Sequence, residues 1–276
     1  MSNLKLNIMK NAFTYTFIFI SDILKLANYQ YKAEHRRKFF GILWKYLNPL
    51  IFMAIYTLIF SALTLDGKRG FVITMGILIF SGITNSLNGS TQWIFNHALI
   101  NFITVKNALL KLFLSKVLFN FLPVFYLLPV IVFVQSIFFN IDYQFSFKES
   151  LIILLFSYLL NIICLIYTFI ICVPTSILAK QFIDLQDLIP HGLRIILYLS
   201  PILWVAESSN LVIDTIIKIS NPFYFIFDIL NLIIDKDYSL NLISFIFPLI
   251  ILLFSFYFFF YKSRYIAKIR DSILYE

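Results

Sequence analysis

The sequence predicts an all-α, polytopic membrane protein, and three observations predict it. The first is composition: 61% of the 276 residues are hydrophobic and 13% charged, where a soluble domain is roughly 45–50% apolar and about 25% charged. The mean hydropathy of +0.88 agrees. The second is that the apolar residues fall into six stretches of about membrane-spanning length. The third is that the basic residues sit between those stretches and favour one side. With 7 Gly, 8 Pro and 2 Cys, the chain is no fibrous repeat and no disulfide scaffold, and it is too apolar for disorder. The net charge of +8 is dispersed over short segments rather than gathered on one soluble face, so no nucleic-acid partner is expected.

The expected spans are 47–65, 71–89, 117–140, 151–178, 188–206 and 243–261. Pro49, Pro123, Pro129, Pro174, Pro201 and Pro248 fall within them; transmembrane helices tolerate proline where neighbours satisfy the freed backbone groups. One side of these spans (1–46, 90–116, 179–187 and 262–276) carries sixteen basic residues, and the other (66–70, 141–150 and 207–242) carries five. The positive-inside rule makes the first side cytoplasmic, both termini included. Three parts are expected: a cytoplasmic N-terminal segment at 1–46, a six-span domain at 47–261 and a basic cytoplasmic tail at 262–276.

Lys5 and Lys10 precede a short apolar run. A signal peptide there would send the Lys32–Lys38 cluster outside, and no small-residue cleavage site is evident. Phe13, Phe17, Ile20, Leu24, Ala27 and Tyr31 instead recur at alternating spacings of four and three, the stripe of an amphipathic helix. Such a helix lies on the membrane or packs on the protein's own spans. Between spans five and six, the run Phe223–Ile234 is twelve residues long. That is too short to span and reads as a re-entrant or interfacial helix in an outer hairpin.

The sequence encodes no catalytic, cofactor or metal constellation that we recognise. It has no GxxxxGK[ST] phosphate loop and no GxSxG elbow, and His35, His97 and His191 have no metal-ligand spacing. Cys164 and Cys172 lie in one apolar run and imply neither thiol chemistry nor a metal. A non-catalytic membrane subunit is the expectation. None of the 14 acids is expected at mid-membrane, which argues against a proton-coupled carrier.

Arg194 lies within span five, near His191 and after Asp184 and Asp187. It snorkels to lipid phosphate, pairs with one of those acids, or serves gating or headgroup contact. Aromatic faces stack on sugar rings, so Tyr56, Phe60, Tyr126, Tyr158 and Tyr167 are candidates to line a path, although AT-rich coding accounts for most of the 33 Phe. Gly82, Ser86 and Ser90 recur every four residues, a close-approach stripe for packing within one subunit or at a dimer seam.

The stretch 31–61, YKAEHRRKFFGILWKYLNPLIFMAIYTLIFS, resembles the start of the membrane subunits of polysaccharide-exporting ABC transporters. It matches in Arg36, Arg37, Gly41, Leu43, Trp44, Leu47, Asn48, Pro49, Tyr56, Phe60 and Ser61. Residues 179–204 resemble that family's passage from a charged turn to a Ser-Pro step, here Ser200 and Pro201. Residues 221–228, with Asn221 and Pro222, resemble its Asn-Pro-aromatic motif. Lys180 and Gln181 stand where the family commonly has Arg-Asp, and Glu34–His35 interrupt its basic run.

The resemblance implies a homodimer of six-span subunits in the cytoplasmic (inner) membrane, bound to two copies of a separate ATPase that holds ATP and Mg. Its cargo would be lipid-linked polysaccharide of O-antigen, capsule or teichoic-acid type. It further implies that about 91–115 couples to the ATPase, with Trp93, Phe95, His97, Phe102, Lys106, Asn107 and Lys111 as candidate contacts; an ordinary interfacial loop is the alternative. Arg36, Arg37, Lys38 and Arg194 are candidates for the lipid phosphate, since basic residues pair well with phosphate. Competing readings are an exporter of another amphipathic cargo, such as a lipid or drug, and a stand-alone membrane transferase.

Overall fold

The computed structural model describes residues 18–29, 32, 39–64, 67–93, 108–138, 147–200, 211–235 and 242–261. All the regular structure among them is helical: α1 (residues 18–29), α2 (Trp44–Thr64), α3 (Gly67–Trp93), α4 (Ala108–Phe138), α5 (Phe147–Gln181), α6 (Leu185–Leu199), α7 (Leu211–Ser220), α8 (Tyr224–Asp235) and α9 (Ile246–Tyr261). Helices α3, α4 and α5 are long and apolar enough to cross a bilayer, which marks a membrane protein. Helix α6 is described over fifteen residues, about 22 Å at 1.5 Å per residue. The remainder of its expected span, from Pro201, lies outside the described residues, as do 1–17, 94–107 and 262–276.

Helix α3 is the axis of the bundle. Its spanning segment is 78% buried, against 50% in α4 and 56% in α5, and it touches α2, α4, α5, α6 and α8. Small residues make this crowding possible. A Cβ on Gly82 would stand 3.1 Å from Val124 and 3.3 Å from Phe121, both on α4. The Ser90 hydroxyl shares a 2.9 Å hydrogen bond with that of Thr175 on α5, and Ser176 donates to the Ser90 carbonyl at 2.6 Å. The four-residue stripe therefore serves packing within this chain, and Ser86, turned inward, bonds the Gly82 carbonyl of its own helix.

Prolines are accommodated as lipid requires. Pro123 and Pro129 lie inside α4, Pro174 inside α5 and Pro49 inside α2, while Pro248 sits in the first turn of α9, where no helical donor is lost. Lacking an N–H, Pro129 leaves the carbonyl four residues earlier, that of Phe125, without its helical partner. The Tyr158 hydroxyl on α5 donates to that carbonyl at 3.0 Å, and the Tyr158 ring stacks on Phe125 at 6.1 Å.

Helix α1 packs through Ile23 and Ala27, which are buried, while Ile20 and Leu24 of the expected stripe are more than half exposed. It rests on the protein with one edge and leaves the adjoining apolar edge open. Phe13, Phe17 and Tyr31 lie outside the described residues. Near the other end of the chain, the run from Phe223 forms α8, buried against α3 and α5. The Phe223 ring meets Phe80 and Tyr167 edge-on, each at 5.8 Å. Asn221 fixes the turn before α8, donating to the Ser200 hydroxyl at 2.6 Å and accepting from the Phe223 N–H at 2.9 Å. The Ser-Pro and Asn-Pro segments, separate in sequence, meet through this one bond.

Tyr158→Phe should destabilise the protein by about 1 kcal/mol, the cost of leaving a partly buried carbonyl without a donor. In a Pro129→Ala background the backbone N–H gained at position 129 restores the helical bond, so the same change should cost clearly less. Thermal unfolding of the four proteins in one detergent measures this cycle.

Candidate functional site

A cavity of about 640 Å³ opens between α2, α3 and α6, with Asn120 of α4 contributing to its wall. Helical spacing explains which residues line it. Helix α2 supplies Trp44, Lys45, Asn48, Pro49 and Phe52, and α6 supplies Pro190, Leu193, Arg194, Leu197 and Tyr198. Helix α3 supplies Ser81, Thr84, Asn85 and Asn88 from successive turns, a polar face displaced by one residue from its Gly82–Ser86–Ser90 stripe. The cavity thus lies beside the start of α2, the second half of α3 and α6 from Pro190 to Tyr198.

Among the described residues the lining carries two cations, Lys45 and Arg194, and no acid. Lys45 lies over the Phe119 ring and donates to Asn120 Oδ1 at 3.3 Å, so its charge is anchored to α4. Arg194 differs. Among the described residues it makes no ion pair, and neither Asp184 nor Asp187 reaches it. The expected pairing with those acids is absent from this arrangement. The carboxamide oxygen of Asn88 is buried with no hydrogen-bond partner among the described residues. The cavity therefore joins a guanidinium without an ion pair, amides that donate and accept, and the aromatic side chains of Trp44, Phe52, Phe80 and Tyr198.

Gly41, at the head of the family-like segment, has φ 48°, a left-handed conformation that side chains disfavour. It sits in the turn Gly41–Leu43, which delivers Trp44 to the first position of α2. Trp44, Asn48 and Pro49 of that segment line the cavity, whereas Ser200 and Asn221 form the bonded pair that seats α8.

The other expected site residues are distributed as follows. The Tyr158 ring stacks on Phe125 in the α4–α5 contact. Tyr167 is buried, donates to the Pro222 carbonyl at 3.2 Å and packs on Phe223 and Phe225. Tyr126 is exposed and meets Tyr46 at 6.2 Å. None of the three lines the cavity. Tyr56 and Phe60 lie on α2, and their side chains are outside the described set, as is that of Trp93 at the end of α3. Arg36, Arg37, Lys38, Phe95, His97, Phe102, Lys106, Asn107 and Pro201 lie outside the described residues.

Two placements add to the sequence reading. Lys111, a candidate contact for a partner, is held by Asp22 of α1 at 2.6 Å and lies 5.5 Å from the Phe19 ring. Asp228, assigned to the outer segment, is buried at 1% exposure on α8, which packs between α3 and α5. The described helices therefore enclose an acid, in the segment between the fifth and sixth expected spans.

The polar face of α3 went unnoticed in the sequence, although Ser81, Thr84, Asn85 and Asn88 recur at helical spacing within an apolar span. Asn120 and Lys45 carried no signal of their own, because their roles depend on how α2 meets α4. No protein-family model matches the chain, and no curated protein matches it.

The hydrogen bond from Lys111 is the largest influence on Asp22 and lowers its pKa from the ordinary 3.8; burial opposes this, and the charges of Lys111 and Lys25 add to it. A lowered carboxyl pKa stabilises the fold above the unfolded value and ceases to do so as pH falls through the folded one. Asp22→Asn should therefore speed amide exchange in α1 at neutral pH. The wild type should converge on the variant only as pH falls below 3.8, which hydrogen exchange corrected for intrinsic rates measures.

Proposed function

We propose that the chain is the membrane subunit of an ATP-driven exporter that moves lipid-linked polysaccharide outward across the cytoplasmic membrane. In this reading α2, α3, α4, α5, α6 and α9 are the six spans and both termini are cytoplasmic. Helix α7 and the re-entrant α8 form the outer hairpin. Two copies of the subunit work with two copies of a separate ATPase. The reading is supported most by the cavity between α2, α3 and α6, where, among the described residues, Arg194 has no ion pair and the lining includes no acid. Arg194 is exposed and has no acid to neutralise it among the described residues, so its guanidinium is available to a phosphate-bearing ligand. In this reading the cavity opens toward the cytoplasmic side, where a phosphate-bearing cargo would enter.

The resemblance of residues 31–61 supplies the cargo class, and three of its residues line the cavity. In the mechanism, the headgroup enters beside α2 and α6 with its phosphate drawn by Arg36, Arg37, Lys38 and Arg194. ATP-driven closure of the partner displaces the segment 91–115, and the subunits rock to pass the glycan outward. Contacts along the path are weak and repeated, because a polymer must keep sliding. A second reading, export of another amphipathic anion by the same machinery, is favoured by the same cation.

Affinity purification in mild detergent should bring down a Walker-motif ATPase in stoichiometric amount, and deleting 97–106 should release it. In sealed vesicles holding that complex, Arg194→Gln should slow ATP-dependent flux of lipid-linked glycan about tenfold or more, as loss of a charge-assisted contact of roughly 1.5–3 kcal/mol implies. A chain that purifies without any ATPase, or flux indifferent to ATP, would contradict the proposal.

A further inference from the structure

We infer that the α2–α3–α6 cavity is a binding site for a phosphorylated sugar, in which Arg194 takes the phosphate and the carboxamides of Asn48, Asn85 and Asn88 read the ring hydroxyls. This rests on the exporter reading and names the part of the cargo the cavity recognises.

Charge sets the first half of the ligand. With Lys45 and Arg194 in the lining and no acid among its described residues, the cavity favours an anion. Lys45 is already committed to Asn120 and the Phe119 ring, which leaves exposed Arg194, with no ion pair among the described residues, as the donor. A guanidinium presents a planar fork of N–H groups suited to phosphate oxygens.

The amides set the second half. Ser81 and Thr84 give their hydroxyls to the carbonyls of Leu78 and Ser81 on their own helix, whereas an anion alone leaves the carboxamides of Asn48, Asn85 and Asn88 without work. An apolar occupant would exclude water from them, at about 1–3 kcal/mol for each group left without a partner. Carboxamides both donate and accept, as hydroxyl groups do, so a polyol satisfies them as neither an alkyl chain nor a bare phosphate can. Asn88 carries the sharpest demand, since its oxygen is buried and accepts nothing from the described protein. From Ser81 to Asn88 the polar face of α3 extends about 10 Å at 1.5 Å per residue, and Trp44 and Tyr198 add aromatic surface of the kind on which sugar rings rest. The volume of about 640 Å³ falls in the range of small-molecule sites, roughly 300–1,000 Å³. It accommodates a headgroup and not a polymer.

The test uses the full-length chain in lipid nanodiscs, with binding followed by tryptophan fluorescence and calorimetry. The probes are glucose 1-phosphate, butyl phosphate, inorganic phosphate and glucose. Glucose 1-phosphate should bind at least about tenfold more tightly than any other probe, and the double variant Asn85→Leu/Asn88→Leu should reduce it to the level of butyl phosphate. Arg194→Gln should weaken every phosphate probe. Because the double leucine variant risks misfolding, Asn85→Asp serves beside it: it conserves shape, places a negative charge in the cavity and should weaken glucose 1-phosphate about tenfold at an unchanged melting temperature.

Equal binding of glucose 1-phosphate and butyl phosphate would overturn the sugar assignment and leave an anion site. Absence of binding by all four probes would overturn the site altogether. Neither result touches co-purification with the ATPase or ATP-dependent flux, so failure here is distinguishable from failure of the exporter reading.

Discussion

The close approach of α3 to α4 and α5 is the constraint on which the rest of the structure depends. Lipid gives helices no hydrophobic reason to associate, so contact must come from tight packing and interhelical hydrogen bonds. Gly82 supplies the first by admitting Phe121 and Val124 against the α3 backbone. Ser90, Thr175 and Ser176 supply the second. Such bonds are worth roughly 0.6–2 kcal/mol each in membranes, so a few of them suffice to fix helix register. With α3 pinned on this side, its opposite face is left to α2 and α6, and there the chain places its amides and Arg194. One helix thus separates a dry seam from a polar cavity.

The same need for internal partners governs the prolines and α8. Every carbonyl that a proline frees within the bundle requires a donor, and Tyr158 meets one such demand. Tyr167 does a similar service at the turn before α8, where Asn221 and Ser200 complete the bonding. Through these bonds a twelve-residue helix sits against α3 and α5 with Phe223, Phe225 and Phe227 buried. In the exporter reading this region would close the outer end while the cavity receives cargo at the other. The Asp22–Lys111 pair attaches α1 to the start of α4, next to the segment proposed to couple to the ATPase.

Much of this was legible in the sequence because it follows from local spacing. Long apolar runs gave the helices α3, α4 and α5, and the Gly82–Ser90 stripe foretold a close contact. The short run from Phe223 foretold a helix too brief to span. What escaped was set by tertiary placement. Tyr158 and Tyr167 looked available for a path, yet a phenol inside a bundle gives its hydroxyl to the nearest freed carbonyl. The Lys111 ion pair exists because α1 brings Asp22 to the start of α4. The cavity itself was hidden, because its lining comes from four helices and its amides, one by one, are ordinary residues in an apolar run.

The most direct measurement of the central claim, a polar cavity open to the cytoplasmic side of a membrane-embedded bundle, is cysteine accessibility in sealed, oriented vesicles. Cys164 and Cys172 are buried and would be replaced by alanine, and single cysteines would be introduced by Asn85→Cys and, facing away from the core, by Leu159→Cys. The account predicts that a membrane-impermeant maleimide labels position 85 from the cytoplasmic side only, and leaves position 159 unlabelled from either side. Failure to label position 85, or its labelling from the outside, would contradict it.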